Sequence, residues 1–218
     1  MLTWVFDLDN TLHDASPHIF PHINRSMTAY LQAYLGLEEA AAAALRVHYW
    51  RTYGATLLGL VRHHAADPHH FLWHTHQFAD LRRMVVADRA ALAVVRRLPG
   101  RKILFSNSPA HYAHAVLDIL GIAPLFDAVY AIEQVGFRPK PQPGGFRRLL
   151  RAERLVPHRA VMVDDSLPNL RAAARLGMQT VWVSRDPRSP AFLSARVGSV
   201  RALPRLLDRL TGVAGAHR

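Results

Sequence analysis

The chain has 218 residues, no cysteine, and 27 Lys+Arg against 16 Asp+Glu, a net charge of +11 with histidine neutral. With 50% hydrophobic and 20% charged residues, it is too apolar for a disordered polymer and long enough for one domain, or one domain with an insert. The missing cysteines exclude a disulfide framework, a thiolate metal site and a cysteine nucleophile. No apolar run reaches the roughly 18 residues of a membrane span, and Met1–Asp7 lacks the features of a signal peptide. The expectation is a soluble, cytoplasmic protein, as a monomer or homodimer. Lysine occurs only at Lys102 and Lys140, so the positive charge is almost all arginine. It is scattered along the chain (Arg46, Arg82, Arg96, Arg147, Arg171, Arg205), which argues against nucleic acid as the main partner. It fits a field that draws in small phosphorylated substrates.

Leu2–Phe6 is a short apolar run of the kind found in buried parallel strands, stopping at Asp7-Leu8-Asp9-Asn10-Thr11. From about Ala15 to Val85 no strand pattern occurs. The stretch reads as several helices, with breaks at Tyr53-Gly54-Ala55 and Ala66-Asp67-Pro68. Further strand-like runs follow at Lys102–Phe105, Ala128–Ile132, Ala160–Val163 and Thr180–Val183. Helical patterns lie between them at Ala110–Leu120, Gly145–Ala152 and Asn169–Leu176, with Gly121 and Gly177 as stops. Such alternation predicts an α/β fold with a doubly wound parallel sheet, into which an α-helical segment is inserted. The core is assigned to 1–14 and 86–218, the helical insert to 15–85. The end, 212–218, is expected to fray.

Ligands of open parallel sheets bind at the carboxyl ends of the strands. Asp7 and Asp9 follow the first run, Ser106, Asn107 and Ser108 the second, and Asp164, Asp165 and Ser166 the fourth. Lys140 lies in the loop before the helix leading to the fourth. Four carboxylates, a hydroxyl and an ammonium thus converge on one edge. Clustered carboxylates repel unless a cation joins them, and hard oxygen ligands point to Mg²⁺. In Asp7-x-Asp9 one carboxylate can attack an electrophile while the other transfers a proton beside it. In an arginine-rich chain, a lysine between two prolines stands out. A compact ammonium suits a tight phosphate and carboxylate site better than a guanidinium fork.

These segments together resemble the four motifs of the haloacid dehalogenase (HAD) superfamily of phosphohydrolases: Asp7-Leu8-Asp9-Asn10-Thr11-Leu12, Phe105-Ser106-Asn107, Lys140 in Arg138-Pro139-Lys140-Pro141, and Val163-Asp164-Asp165-Ser166-Leu167-Pro168-Asn169. The helical insert resembles the cap that one branch of the family carries at that place, and the core would be Rossmann-like. The resemblance implies Asp7 as nucleophile, forming an aspartyl-phosphate, and Asp9 as the acid that protonates the leaving alcohol and then activates water. It implies Mg²⁺ held by the Asp7 carboxylate, the Asp9 backbone carbonyl and Asp165. Asp164 stands where glycine is commoner, and whether it also contacts the metal is open. Ser106, the Asn107 backbone and Lys140 would hold the phosphate, and Thr11 would support the nucleophile loop. Asn169 stands where many relatives have aspartate, which would weaken an outer contact.

Relatives that attack carbon typically lack the acid at the Asp9 position, so phosphoryl transfer is favoured. The insert has no lysine, which argues against the carbon–phosphorus cleaving relatives with their cap Schiff base. Mutases share all four motifs. Phe6–Leu12, Tyr49–Leu60, Leu98–Lys102 and Gly177–Val181 most resemble the pyrimidine 5′-nucleotidase-like branch, implying a nucleoside monophosphate as substrate. The alternative is a phosphatase or mutase acting on a sugar phosphate or another small phosphomonoester. Tyr53 or Trp50 could stack on a base, against the plainer reading that both are insert core. His70 and His74, four apart, could share a metal on a helix, but no carboxylate or thiolate accompanies them. A solvated, partly protonated face is the favoured reading. His111 could reach the site rim, although an ordinary place at a helix start is favoured.

Overall fold

The computed structural model describes residues 2–212. The fraying expected at the C-terminal end falls almost wholly on 213–218, outside the described residues. The chain divides into two compact units, Met1–Asp14 with Val86–Arg218, and Ala15–Val85. Its elements, in chain order, are β1 (Thr3–Phe6), α1 (Ile19–Leu35), α2 (Glu39–Tyr53), α3 (Thr56–His64), α4 (Pro68–Thr75), α5 (Leu81–Met84), α6 (Arg89–Arg97), β2 (Arg101–Phe105), α7 (Ala110–Leu120), β3 (Ala128–Tyr130), α8 (Pro143–Ala152), β4 (Ala160–Asp164), α9 (Leu167–Arg175), β5 (Gln179–Val183), β6 (Ala195–Val197) and α10 (Leu207–Thr211).

In the first unit the strands form one parallel sheet in the order β3-β2-β1-β4-β5-β6. The chain steps outward from β1 to β2 and β3, then crosses back to β4 and continues to β6. Right-handed crossovers therefore place α6 and α7 on one face and α8 and α9 on the other. Covered on both faces, β1 and β4 are buried along their whole length, as continuous apolar runs require. The reversal of direction lies between β1 and β4, the position at which doubly wound sheets bind ligands. β6, which the sequence reading did not include, adds a sixth strand beside β5. Helix α9 begins at Leu167 rather than Asn169, with Pro168 in its first turn, where a missing N–H costs nothing.

The second unit is helical throughout. The two expected breaks separate α2 from α3 and α3 from α4, and Pro68 opens α4 instead of ending a helix. Helices α2 and α3 pack at one very close approach. A Cβ on Gly59 would lie 2.1 Å from Cγ of Tyr49, whose buried ring stacks on His63 (5.6 Å, 13°) and whose hydroxyl bonds His64 Nε2 at 2.7 Å. Gly59→Ala is expected to destabilise the protein by about 1–3 kcal/mol, the usual cost of overpacking. Denaturant unfolding checks this, and an unchanged midpoint would mean that the Tyr49 ring moves aside freely.

Candidate active site

The register of the three central strands builds the site. Phe6 pairs with both Leu104 and Val163, so the next residue along each strand, Asp7, Phe105 or Asp164, reaches the same sheet edge. Asp7 N–H donates to Val163 O at 2.9 Å and Ser106 N–H to Tyr130 O at 2.9 Å, carrying the ladder one residue past the strands. The chain then turns sharply. Asn10 takes the left-handed conformation (φ 61°), which asparagine tolerates better than most residues, and Thr11 and Leu12 both bond back to Leu8 O. Thr11 Oγ1 donates to Asp7 Oδ2 at 3.3 Å.

Lys140 is 1% exposed and fully engaged. Its ammonium donates to Asp7 Oδ1 (2.6 Å), Asp164 Oδ2 (2.9 Å) and Phe105 O (2.7 Å). Asn107 fixes the backbone that carries it. Lys140 N–H donates to Asn107 Oδ1 at 2.7 Å and Asn107 Nδ2 to Lys140 O at 2.9 Å. The Asn107 side chain thus has a task that the sequence reading, concerned with its backbone, did not assign. Lys140 was expected to hold a phosphate; with three acceptors already bound, what it offers a phosphate is its charge.

Asp164 is completely buried. Besides Lys140 it accepts from Ser166 N–H at 2.8 Å and from Asn169 Nδ2 at 3.1 Å on each carboxylate oxygen. Asn169 therefore points into the site as a donor to Asp164. Ser106, also buried, shares a hydrogen bond with the Ser108 hydroxyl.

Asp7, Asp164 and Asp165 each present a carboxylate oxygen within 4.8 Å of the others. Three carboxylates share one ammonium here, so negative charge is in surplus. Burial, opposed by Lys140 and reinforced by Asp164 and Asp165, raises the Asp7 carboxyl well above its ordinary range. Burial and the neighbouring Asp164 push Asp165 up to about 6. Burial works against the Lys140 charge, but Asp164 and Asp7 outweigh it and hold the ammonium charged. An all-oxygen donor set short of positive charge fits a hard divalent cation such as Mg²⁺. The Asp9 carboxylate lies outside this group, so its expected metal contact rests on its backbone carbonyl.

Asp9 has surroundings of its own. Tyr112 Oη donates to Oδ1 at 2.6 Å, His13 Nε2 meets the same oxygen at 2.9 Å, and Ser108 Oγ donates to Oδ2 at 3.2 Å. Burial opposes its ionisation, yet these donors hold its carboxyl below the ordinary range. The sequence reading assigned none of the three a role. His13 stands four residues after Asp9, but Tyr112 lies on the apolar face of α7 with Ala113, Val116 and Leu117, where a tyrosine reads as core.

In the second unit, His70 and His74 lie on α4 with ring centroids 4.2 Å apart, and His70 Nδ1 bonds the Tyr30 hydroxyl at 2.8 Å. Tyr53 bonds His63 Nε2 at 2.6 Å, whereas Trp50 is 59% exposed; the reading of Trp50 as core does not hold.

Comparison with known proteins agrees with this architecture. A HAD phosphatase from Thermococcus onnurineus superposes with a TM-score of 0.66 at 22% identity, over 95% of this chain and 98% of that one. Among curated sequences, phosphate metabolism protein 8 of Saccharomyces cerevisiae is 28% identical over 191 residues, 79% of this chain and 58% of the relative. Validoxylamine A 7′-phosphate phosphatase of Streptomyces hygroscopicus is 26% identical over 141 residues, 63% of this chain and 62% of the relative. The chain thus spans about three-fifths of the length of each of these two relatives. Residues 1–177 match the family described as haloacid dehalogenase-like hydrolase, which takes in all four site segments; the chain belongs to that family.

Proposed function

We propose that the protein is a phosphomonoesterase working through an aspartyl-phosphate on Asp7. The observation that carries this reading is the Asp7 carboxylate bonded to a buried ammonium at the end of the central strand, with a second carboxylate, Asp9, two residues on. Asp9, ionised at rest, first takes up a proton from solvent; Asp7 then attacks phosphorus, and the ester P–O bond breaks as Asp9 gives that proton to the leaving oxygen. Water then loses a proton to Asp9 and attacks phosphorus, releasing phosphate and Asp7. Lys140 fixes Asp7 and places positive charge beside the reacting group. Ser106 and the Asn107 backbone hold the phosphoryl oxygens, and Thr11 steadies the nucleophile loop. Asp7, Asp165 and Asp164, with the Asp9 backbone carbonyl, would hold Mg²⁺, which when bound offsets charge on the phosphoryl oxygens. The presence of Asp9 favours phosphorus over carbon as the point of attack.

The 15–85 unit is the substrate-selecting cap in this reading, and a pyrimidine nucleoside monophosphate is the proposed substrate. Trp50, exposed on α2, is the side chain proposed to stack on a base. Phosphate release is measured with Mg²⁺ on UMP, CMP, AMP, GMP, several sugar phosphates and an aryl phosphate. Release is expected to be fastest from the pyrimidine nucleotides, to stop with a chelator, and to fall about 10⁴-fold or more in Asp7→Asn. Release from other esters alone would keep the mechanism and remove the nucleotide assignment. No release from any of them would overturn the phosphatase reading.

A further inference from the structure

We infer that Tyr112 and His13 are positioning residues that aim the Asp9 carboxyl, so that Oδ2 is the oxygen that exchanges the proton. The inference rests on the phosphatase reading and goes beyond it in assigning two residues outside the residues given roles above. Tyr112 is 1% exposed and reaches the site from the first turn of α7; the His13 side chain is fully buried. Both groups converge on Oδ1, at 2.6 and 2.9 Å. Because the tyrosine hydroxyl donates to an ionised carboxylate, the imidazole donates as well, through Nε2. Its Nδ1 is buried with no hydrogen-bond partner among the described residues, which leaves Nε2 as the ring nitrogen engaged with Asp9. The ring is thereby held in one orientation, with Nε2 on Asp9.

Two short bonds on Oδ1 fix the rotation of the carboxyl group. The second oxygen receives the longer 3.2 Å bond from Ser108, whose hydroxyl is shared with Ser106. A proton on Oδ1 would face two donors; a proton on Oδ2 faces one hydroxyl that can turn to accept. Oδ2 therefore carries the proton to the leaving oxygen and takes one back from water. Both partners are rigid. Tyr112 is anchored in the packed face of α7, and His13 belongs to the turn that begins at Asn10. Rigid support of this kind keeps a catalytic group in reacting geometry.

The test uses leaving groups. An alkyl phosphate must have its leaving oxygen protonated, whereas 2,4-dinitrophenyl phosphate loses a stable phenolate without a proton. The value of kcat/KM reads the steps up to ester cleavage. In Tyr112→Phe, kcat/KM for the alkyl ester is expected to fall on the order of 10- to 100-fold and for the aryl ester about twofold at most. The aryl kcat falls further, since Asp9 also serves the second step. His13→Phe is expected to give the same split, which covers the case in which one variant fails to fold. His13→Gln, which keeps a donor, recovers most of the alkyl activity. Equal losses on both esters, or no loss on the alkyl ester, would overturn the inference and leave the phosphatase reading standing. A wild-type protein that cleaves neither ester overturns both.

Discussion

Lys140→Met is expected to abolish turnover and to remove about 3–5 kcal/mol of stability, the usual cost of breaking a buried ion pair from one side. The ammonium is the shared counter-charge of Asp7 and Asp164, at 2.6 and 2.9 Å, and its third hydrogen satisfies Phe105 O. Without it, Asp7 keeps only the Thr11 hydroxyl, Asp164 keeps Ser166 N–H and Asn169, and neither buried carboxylate has a counter-charge bonded to it. Asp7 would stay protonated and cease to be a nucleophile. Lys140→Arg is expected to rescue little, because a planar guanidinium cannot direct three hydrogens at three acceptors gathered around one atom. Urea unfolding and phosphate release, measured on the same preparations, check both parts. A Met variant as stable as the wild type would show that Asp164 needs no counter-charge beyond its bonds from Ser166 and Asn169.

Asn169→Asp is the second substitution expected to have a large effect, although it changes one atom type and no shape. The Asn169 amide donates to both oxygens of Asp164 at 3.1 Å. An aspartate there replaces two donated bonds with a second carboxylate at the same distance, in a site already short of positive charge. The expected loss is about 3–5 kcal/mol, comparable to leaving a buried charge uncompensated, together with most of the activity. Asn169→Ala removes the donors without adding charge and should fall between this variant and the wild type. Thermal melts of the three proteins give the order, and an aspartate variant more stable than the alanine one would contradict it.

The fold was largely legible because buried parallel strands write themselves as short apolar runs ended by polar residues. β6 escaped that rule. It has three residues, with Arg196 exposed between two buried neighbours, too brief and too mixed to stand out from a loop. At the site, residues next to strand ends could be read from position alone. Contacts made across the fold could not. Attention to His111 as a rim residue passed over Tyr112 beside it, whose phenol tip lies more than a hundred positions from Asp9 in the chain. Asn169 shows the same limit. The sequence reading expected it to weaken an outer contact, whereas only geometry reveals that it donates to both oxygens of Asp164.

The paired hydrogen bonds between the Asn107 side chain and the Lys140 backbone imitate one rung of a sheet, with a side-chain amide in place of a peptide. The lysine is thus latched to the end of β2, and its place depends less on the intervening loop that delivers it. Length and composition between β3 and Lys140 are thereby decoupled from the position of the charge. The charge is thus set by the end of a central strand and not by the loop that carries it.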